Sequence, residues 1–245
     1  MNLIIVEGNI GAGKTTLCKA LGKVLNYEVF LEPVKKNPYL ELFYKEPKLY
    51  ATKMQLFLLR KRFSVYLAAL KLLTTNKEKV KGVILDRSIF TDYVFAINSY
   101  KNDDISDIEF EYYNKLRIQM IAQLPPPSIL LYVDVSPETC YKRIHEVRCR
   151  ECEKPITLEY LQSLDKNYKD FLEGMKDSTA TCITLDRNNF GEINEIVSEI
   201  KMLKDCKLNV TGCNLKHLFE DEEKLKHIDV TEDLKDVFCN KLKIN

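Results

Sequence analysis

The first seventeen residues, MNLIIVEGNIGAGKTTL, contain the feature that most restricts how this chain can fold. Residues 3–6 are a short apolar run, which predicts a buried strand. A complete G-x4-G-K-T motif follows over residues 8–15, and apolar residues at helical spacing then continue to residue 25. A glycine-rich loop between a strand and a helix is typical of a phosphate-binding loop, because its N–H groups and the helix N-terminus attract an anion.

This loop predicts a nucleoside triphosphate ligand. Lys14 adds a positive charge next to the phosphates, and Thr15 offers a hydroxyl to Mg²⁺. The alternative, a glycine-rich turn that binds nothing, is disfavoured because the strand and the helix both stand in the required order. The loop residues expected to contact the triphosphate are Gly8, Asn9, Ile10, Gly11, Ala12, Gly13, Lys14, Thr15 and Thr16.

Length and composition limit the remaining possibilities. A chain of 245 residues with 45% hydrophobic residues is the size of one α/β domain with a full core. The formal net charge of +1 gives no reason to expect nucleic acid or a membrane as a partner. We expect a cytosolic protein, because the first strand begins at residue 3 and no apolar run has membrane-spanning length. The eight cysteines are then expected to be free thiols.

Four more apolar segments predict strands at residues 27–31, 81–85, 128–134 and 181–185. The segments between them have helical spacing, at residues 50–74, 89–100, 107–123, 157–176 and 190–203. Strands that alternate with helices predict a five-stranded parallel sheet in a three-layer α/β/α domain. We place this domain at residues 1–204. Residues 205–245 are rich in Lys, Asp and Glu, and a satellite helix pair and a disordered tail both remain open for them.

Charged residues follow two of the predicted strands. Glu32 follows the second strand and Asp86 follows the third, and the carboxyl ends of parallel strands are where α/β sheets place functional groups. Asp86 is the expected partner of Mg²⁺, and Arg87 beside it would neutralise phosphate. Ser88 is predicted to cap the helix that begins at residue 89, with Asp92 one to two turns inside it. For Glu32 alone, a solvated loop glutamate is the competing interpretation.

Two further patterns suggest ligand contacts. Gln55 and Arg62 are seven residues apart on one helix face, which suits a planar polar ligand; a solvated stripe is the alternative. Arg148 and Arg150 suggest a mobile lid that closes over phosphates, and a solvated charge run is the alternative. Cys149 and Cys152 have the spacing of half a zinc site, but no second C-x2-C follows, so zinc is disfavoured.

Taken together, these motifs resemble those of the deoxynucleoside kinase family over roughly residues 3–200. The resemblance is specific because several separate motifs occur in the same order. They are GNIGAGKTTL, Glu32-Pro33, the Tyr44-x10-Gln55-x6-Arg62 spacing, Asp86-Arg87-Ser88, the SPETC segment at residues 136–140, and the arginine lid followed by LEYL at residues 158–161.

The resemblance implies a role for each matched residue. For catalysis, it implies that Glu32 is the general base for the 5′-hydroxyl and that Lys14 and Arg87 stabilise the transferred phosphoryl group. Those implied for the deoxynucleoside are Tyr44 and Glu153 at the sugar 3′-hydroxyl, Gln55, Arg62 and Asp92 at the base, and Phe95 stacked on the base. Those implied for Mg²⁺ are Thr15 and Asp86. Those implied around the donor and in the lid are Arg143, Arg148, Arg150, Asn189 and Phe190.

The chain departs from the family pattern in three places. Animal members usually have Glu at the position of Asp86, whereas bacterial relatives have Asp. The segment between Asp92 and Phe95 is one residue shorter, which weakens the stacking assignment. The segment between Arg143 and Arg148 is one residue longer.

The resulting hypothesis is a deoxynucleoside kinase that transfers the γ-phosphoryl group of ATP, or of another triphosphate, to a deoxynucleoside 5′-hydroxyl. Deoxyadenosine, deoxyguanosine and deoxycytidine are expected to be preferred, because an Arg62–Asp92 ion pair would fill the space that the thymine methyl needs. The family resemblance also implies a homodimer, with the helix at residues 107–123 as part of its interface. A thymidylate kinase-like monophosphate kinase and a non-catalytic nucleotide-binding module are the alternatives.

Overall fold

The computed structural model describes residues 2–32, 37–175, 180–189, 192–203 and 207–209. Its centre is a five-stranded, all-parallel sheet with the spatial order β2-β3-β1-β4-β5. The strands are β1 Asn2–Gly8, β2 Glu28–Phe30, β3 Gly82–Asp86, β4 Ile129–Asp134 and β5 Thr181–Asp186. The predicted parallel sheet is therefore confirmed, with each strand within two residues of its expected bounds.

Helices cover both faces of this sheet. They are α1 Lys14–Leu25, α2 Leu40–Lys45, α3 Pro47–Thr75, α4 Asp92–Lys101, α5 Asp107–Ile121, α6 Pro137–Lys142, α7 Leu158–Gly174 and α8 Ile193–Met202. A π-helical turn at Arg143–Arg148 and a 3-10 turn at Glu151–Glu153 form the predicted lid segment. Within the described ranges, no helix combines the length and apolarity needed to cross a membrane.

Alternating residues of β1 separate the two layers of the core. Leu3 and Ile5 face the cluster formed by α3, α4, α5 and α7. Ile4 and Val6 face the cluster formed by α1, α6 and α8. All four side chains are fully buried, as expected for the central strand of a parallel sheet that helices cover on both sides.

The prediction for Ser88 was wrong. Helix α4 begins at Asp92, not at residue 89, so Asp92 is its first residue and Thr91 precedes it. The Ser88 hydroxyl instead accepts a hydrogen bond from the backbone N–H of Phe90 at 3.2 Å and donates one to Glu7 at 2.8 Å. A serine that bonds two residues ahead forms a turn in competition with a helix, which explains the later start.

Two other expectations fall partly beyond the described residues. Phe190 lies outside them, and so does most of the segment at residues 205–245. Among its described residues, Leu208 packs against the cluster on the α3 side of the sheet. The division of the chain into residues 1–204 and a C-terminal extension stays a prediction.

Candidate active site

The loop at residues 8–15 turns tightly between β1 and α1. Gly13, the residue before α1, has a left-handed φ of 91°. Gly11 has φ 82°, and a Cβ atom there would lie 2.7 Å from the carbonyl oxygen of Cys140. Both positions need glycine, since a side chain would be strained at either and would collide with α6 at Gly11.

Asn9 and Lys14 organise the inside of this loop. The Lys14 Nζ donates a hydrogen bond to the carbonyl oxygen of Asn9 at 2.7 Å. The Asn9 side chain is buried, donates to the carbonyl of Leu161 at 2.8 Å, and accepts from the N–H of Ile10 at 2.8 Å. These bonds tie the loop to α7. Burial and the nearby charge of Arg87 together lower the pKa of Lys14 to about 8, against the opposing charge of Asp86.

The pKa of Lys14 predicts how triphosphate affinity depends on pH. An anionic ligand binds the protonated lysine, so affinity is expected to fall by up to about tenfold per pH unit once the pH exceeds the pKa of about 8. Equilibrium titration with ATP and magnesium at pH 7, 8 and 9 measures this decline. Lys14→Arg, which stays charged, is the control with a flatter profile. Wild-type affinity that is constant from pH 7 to pH 9 would contradict the assignment.

Thr15 and Asp86 meet at the carboxyl edge of the sheet. The parallel register pairs Val6 of β1 with Asp86 of β3, so the end of β3 lies beside the loop. The Thr15 hydroxyl donates a hydrogen bond to the Asp86 carboxylate. Two adjacent oxygen ligands fit Mg²⁺, which usually binds to one or two protein oxygens and completes its shell with phosphates and water. Thr16 is exposed on α1 next to this pair.

Glu32 lies just beyond β2 and is held by two arginines. The Arg62 Nη2 is 2.5 Å from its Oε1, and the Arg87 Nε is 3.2 Å from its Oε2. Burial alone would raise the pKa of Glu32, but the charges of Arg62 and Arg87 outweigh it and lower the pKa below its usual value. Glu32 is therefore ionised at neutral pH, as a proton acceptor must be.

Arg62 connects Glu32 to a second carboxylate. Its Nη1 forms an ion pair with Asp92, which is fully buried, and the Tyr113 hydroxyl donates to the other Asp92 oxygen at 2.6 Å. Burial raises the pKa of Asp92, while Arg62 and Tyr113 act in the opposite direction. The sequence-predicted neighbours Arg62 and Asp92 are thus in direct contact, and Arg62 links the Asp92 carboxylate to Glu32.

Gln55 has the most unusual environment in the site. Its side chain is fully buried, and neither Nε2 nor Oε1 has a hydrogen-bond partner among the described residues. A buried amide left without partners costs roughly 1–3 kcal/mol. It lies on α3, two turns before Arg62. A polar ligand that both donates and accepts would satisfy this amide, which is what its sequence position suggested.

Phe95 packs against the arginines. Its ring centroid is 4.7 Å from the Arg87 guanidinium carbon and 5.5 Å from that of Arg62. The Tyr168 ring meets it edge-on at 6.1 Å, and the Tyr168 hydroxyl accepts a hydrogen bond from Arg87. The structure therefore brings Phe95 into the same cluster as Glu32, although it is one residue closer to Asp92 than the family pattern.

The lid arginines converge on Glu153. The Arg148 Nη2 is 2.6 Å from one Glu153 oxygen, and the Arg150 Nη1 is 3.4 Å from the other. Glu153 itself is buried, whereas both arginines are partly exposed. Burial raises the pKa of the Tyr44 phenol well above its usual value, with Tyr160 and Glu153 as further causes. Helix α2, which carries Tyr44, packs against the 3-10 turn that carries Glu153. The shared role of these two residues at the sugar stays a prediction.

Arg143 connects the phosphate loop to the segment after β5. It donates to the carbonyl oxygens of Arg187 at 2.9 Å and Asn188 at 3.0 Å, and more weakly to that of Ala12 at 3.4 Å. The Asn188 side chain also accepts from the N–H of Ser136 at 2.8 Å. Asn188 makes these loop contacts, and the predicted place of Asn189 beside the donor stays a prediction. Asn189 is exposed.

Three residues of this cluster were not found by sequence reasoning. Tyr113 and Tyr168 bond to Asp92 and Arg87 from helices that are distant along the chain, and no local spacing marks them. Glu7 is fully buried and bonds to Ser88. A charged residue directly after four apolar residues of a central strand was a signal that could have identified Glu7.

The cysteines of the lid segment show no metal environment. Cys149 donates to the carbonyl of His145 at 3.1 Å. Across the ranges that the structure describes, no group of three or more His, Cys, Asp or Glu side chains is placed to hold a metal ion. Cys149 and Cys152 are free thiols, as are the other cysteines that the structure describes: Cys18, Cys140 and Cys182.

The whole of this site lies within a match to a known family. Residues 4–205 match the model of the deoxynucleoside kinase family. The chain belongs to the deoxynucleoside kinase family, and it is an ATP-dependent phosphotransferase.

Individual relatives agree with this assignment. The chain is 48% identical over 198 residues to a deoxyguanosine kinase of Dictyostelium discoideum, a match that covers 81% of this chain and 68% of that protein. It is 39% identical over 170 residues to a deoxyadenosine kinase of the same organism, a match that covers 69% of this chain and 66% of that protein. It thus spans about two thirds of both relatives. A solved deoxyadenosine kinase of M. mycoides with bound dATP has a TM-score of 0.69 and 28% identity, covering 82% of this chain and all of that one.

Proposed function

We propose that the chain phosphorylates the 5′-hydroxyl of purine deoxynucleosides, with deoxycytidine as a weaker substrate and thymidine as a poor one. The observation that carries this proposal is the unpartnered Gln55 amide on the helix that also holds the Arg62–Asp92 ion pair. An amide pairs with the donor and acceptor edge of adenine or cytosine. The ion pair disfavours the thymine methyl, which would face a desolvated charge. The named activities of the Dictyostelium relatives support purines.

Glu32 is the proposed general base. As the 5′-oxygen bonds to the γ-phosphorus, the hydroxyl proton passes to a Glu32 oxygen and the bond from phosphorus to the β,γ-bridging oxygen breaks. Protonated Glu32 no longer holds Arg87 by charge, so that guanidinium becomes available to the phosphoryl oxygens. Lys14 and Arg87 stabilise the charge on the transferred group.

Thr15 and Asp86 would hold Mg²⁺ in the complex with ATP. Their hydroxyl and carboxylate oxygens already meet, and both are ligands of the hard type that Mg²⁺ prefers. When bound, the ion neutralises charge on the donor phosphates.

A competition assay tests the substrate proposal. The four natural deoxynucleosides and their 5′-monophosphates are each offered with ATP and magnesium, and kcat/KM is compared. We expect deoxyadenosine or deoxyguanosine to rank first and thymidine last. Preferential phosphorylation of thymidylate would favour the monophosphate kinase alternative, and nucleotide binding without any acceptor-dependent turnover would favour the non-catalytic module.

The lid proposal predicts a separation of kcat from KM. Arg148→Ala should lower kcat by roughly 10–10³-fold with a smaller change in deoxynucleoside KM, because a closing lid acts mostly on the transition state. Arg150→Ala should act in the same direction but less, since its contact with Glu153 is longer. Steady-state kinetics checks this, with Lys154→Ala as the control, because Lys154 is an exposed lid cation. A change in acceptor KM alone would refute the lid assignment.

We also propose a homodimer. Helix α5 packs beside α3, yet it leaves Ile108 and Ile118 54% and 58% exposed. Light scattering at micromolar concentration is expected to give twice the 28.6 kDa chain mass. Ile118→Glu should shift the mass towards the monomer, whereas Met202→Glu, at an exposed position of α8, should not. A monomeric wild type would contradict the proposal.

The remaining assignments are the domain boundary at residue 204 and a cytosolic location. The family match ends at residue 205, close to the proposed boundary. The free thiols support a reducing compartment.

A further inference from the structure

Glu7 is the one acidic side chain in the first strand, and it is completely buried. It is the last member of the row Leu3, Ile5 and Glu7, which faces the α3, α4 and α7 side of the sheet. A buried carboxylate is costly unless charges or hydrogen bonds compensate for it. Its compensation comes from the Asp86-Arg87-Ser88 turn, because the Ser88 hydroxyl donates to Glu7 Oε1 at 2.8 Å.

The strand register places Glu7 beside Arg87. Leu85 of β3 is paired with Phe30 of β2 on one side and with Ile5 of β1 on the other. Arg87 directly follows β3, and its N–H bonds to the carbonyl oxygen of Val6 at 3.1 Å, which brings Arg87 next to Glu7 on β1. The Arg87 Nε is 3.2 Å from Glu32, and Arg87 is the strongest favourable charge acting on Glu7.

Arg87 has a backbone conformation that needs external support. Its φ is 70°, which is in the left-handed region that a residue with a long side chain rarely adopts. Such a conformation persists when the surroundings determine it from several sides. Three contacts do so here: the Arg87 N–H bonds to the Val6 carbonyl at 3.1 Å, its Nη1 bonds to Tyr168, and the next residue bonds to Glu7.

We propose that Glu7 is a positioning residue for phosphoryl transfer, which acts through Arg87. Its charge and its bond to Ser88 hold the Asp86-Arg87-Ser88 turn so that the Arg87 guanidinium stays between Glu32 and the phosphate loop. This inference rests on the proposed role of Arg87 in stabilising the transferred phosphoryl group.

The proposed role of Glu7 depends on its negative charge and not only on its shape. Arg62 and Arg87 both contact the single carboxylate of Glu32. Asp92 provides a second carboxylate for Arg62 as an ion pair, and Glu7 is a nearby negative charge for Arg87. Burial raises the pKa of Glu7 above its usual value, and the charges of Arg87 and Arg62 and the bond from Ser88 oppose this only in part. Glutamine at this position would still accept the Ser88 bond through its carbonyl oxygen but would remove the negative charge next to Arg87.

A double-mutant cycle tests the proposal. Wild type, Glu7→Gln, Arg87→Met and the double variant are compared in the same radiolabelled transfer assay. We expect Glu7→Gln to lower kcat on the order of tenfold, with deoxynucleoside KM changed less than about twofold. In the Arg87→Met background the same change should lower kcat by less than about twofold, because Glu7 acts through the missing guanidinium. A purely structural residue would lower Tm without producing this dependence on Arg87.

Two results would overturn the proposal: wild-type kcat in Glu7→Gln, or an equal loss of kcat in both backgrounds. If Glu7→Gln does not fold, Ser88→Ala takes its place, since it keeps the carboxylate and removes only the hydrogen bond. Ser88→Ala is then expected to lower kcat roughly threefold when Arg87 is present and to leave kcat unchanged in the Arg87→Met background. A Ser88→Ala variant with wild-type kcat would contradict the proposal. Turnover by the wild type in the same assay separates a failure of this inference from a failure of the proposed function.

Discussion

Glu32→Gln is expected to lower the rate of phosphoryl transfer by roughly 10²–10⁴-fold. Glutamine keeps the size and polarity of the side chain but accepts no proton from the 5′-hydroxyl. Its amide oxygen still accepts a hydrogen bond from Arg62 or Arg87, so the fold and triphosphate binding should be retained. The loss has two sources, because Arg62 and Arg87 also lose the carboxylate charge that orients them.

Single-turnover measurement with labelled ATP checks this prediction without interference from product release. Glu28→Gln is the matched control, since Glu28 is an exposed acid on β2, the strand that leads to Glu32. Its rate should equal that of the wild type. Near-wild-type transfer in Glu32→Gln would remove Glu32 from the mechanism and leave the arginines as the main catalytic groups.

The second large effect concerns the choice of base. Arg62→Met combined with Asp92→Ala is expected to raise the ratio of thymidine to deoxyadenosine phosphorylation by about 10²-fold. The double change removes a buried ion pair as a unit, so it avoids leaving one charge buried without its partner. Absolute turnover should fall for every substrate, because Arg62 also holds Glu32 at 2.5 Å. The ratio of the two kcat/KM values, and not either value alone, is the quantity to measure.

Lys61→Met is the matched control for this pair of changes. Lys61 is the neighbour of Arg62 on α3, its side chain is exposed, and its Nζ lies over the Phe57 ring at 5.7 Å. It should leave the substrate ratio unchanged. A wild-type enzyme that already prefers thymidine, or an unchanged ratio in the double variant, would show that Arg62 and Asp92 do not select the base.

The sequence was sufficient for the parts of the molecule that depend on local pattern. The apolar runs and the G-x4-G-K-T motif predicted the five parallel strands and the phosphate loop. The rule that functional groups follow the carboxyl ends of parallel strands placed Glu32 and Asp86 at one edge of the sheet, where Arg87 and Thr15 contact them.

What the sequence did not reveal depends on contacts between distant segments. Tyr168 reaches Arg87 from a helix 81 residues further along the chain, and nothing in its local spacing distinguishes it from a core tyrosine. Ser88 has the identity of a helix cap, yet its hydroxyl accepts from the N–H of Phe90 in a turn, and α4 begins later, at Asp92. Arg148 and Glu153 are close together in the sequence, but their ion pair depends on the π-helical turn at Arg143–Arg148. No pattern of apolar residues predicted that turn.

The position of the transferred phosphate tests the central claim most directly. Purified protein is incubated with magnesium, γ-labelled ATP and either deoxyguanosine or deoxyadenosine, and the labelled product is separated and digested with a 5′-nucleotidase. A control reaction contains the 5′-deoxy analogue of the same nucleoside, which lacks the acceptor oxygen. We predict a labelled deoxynucleoside 5′-monophosphate that releases its label on digestion, and no product from the analogue. Label appearing only when a nucleoside monophosphate is supplied, as a diphosphate, would contradict the account.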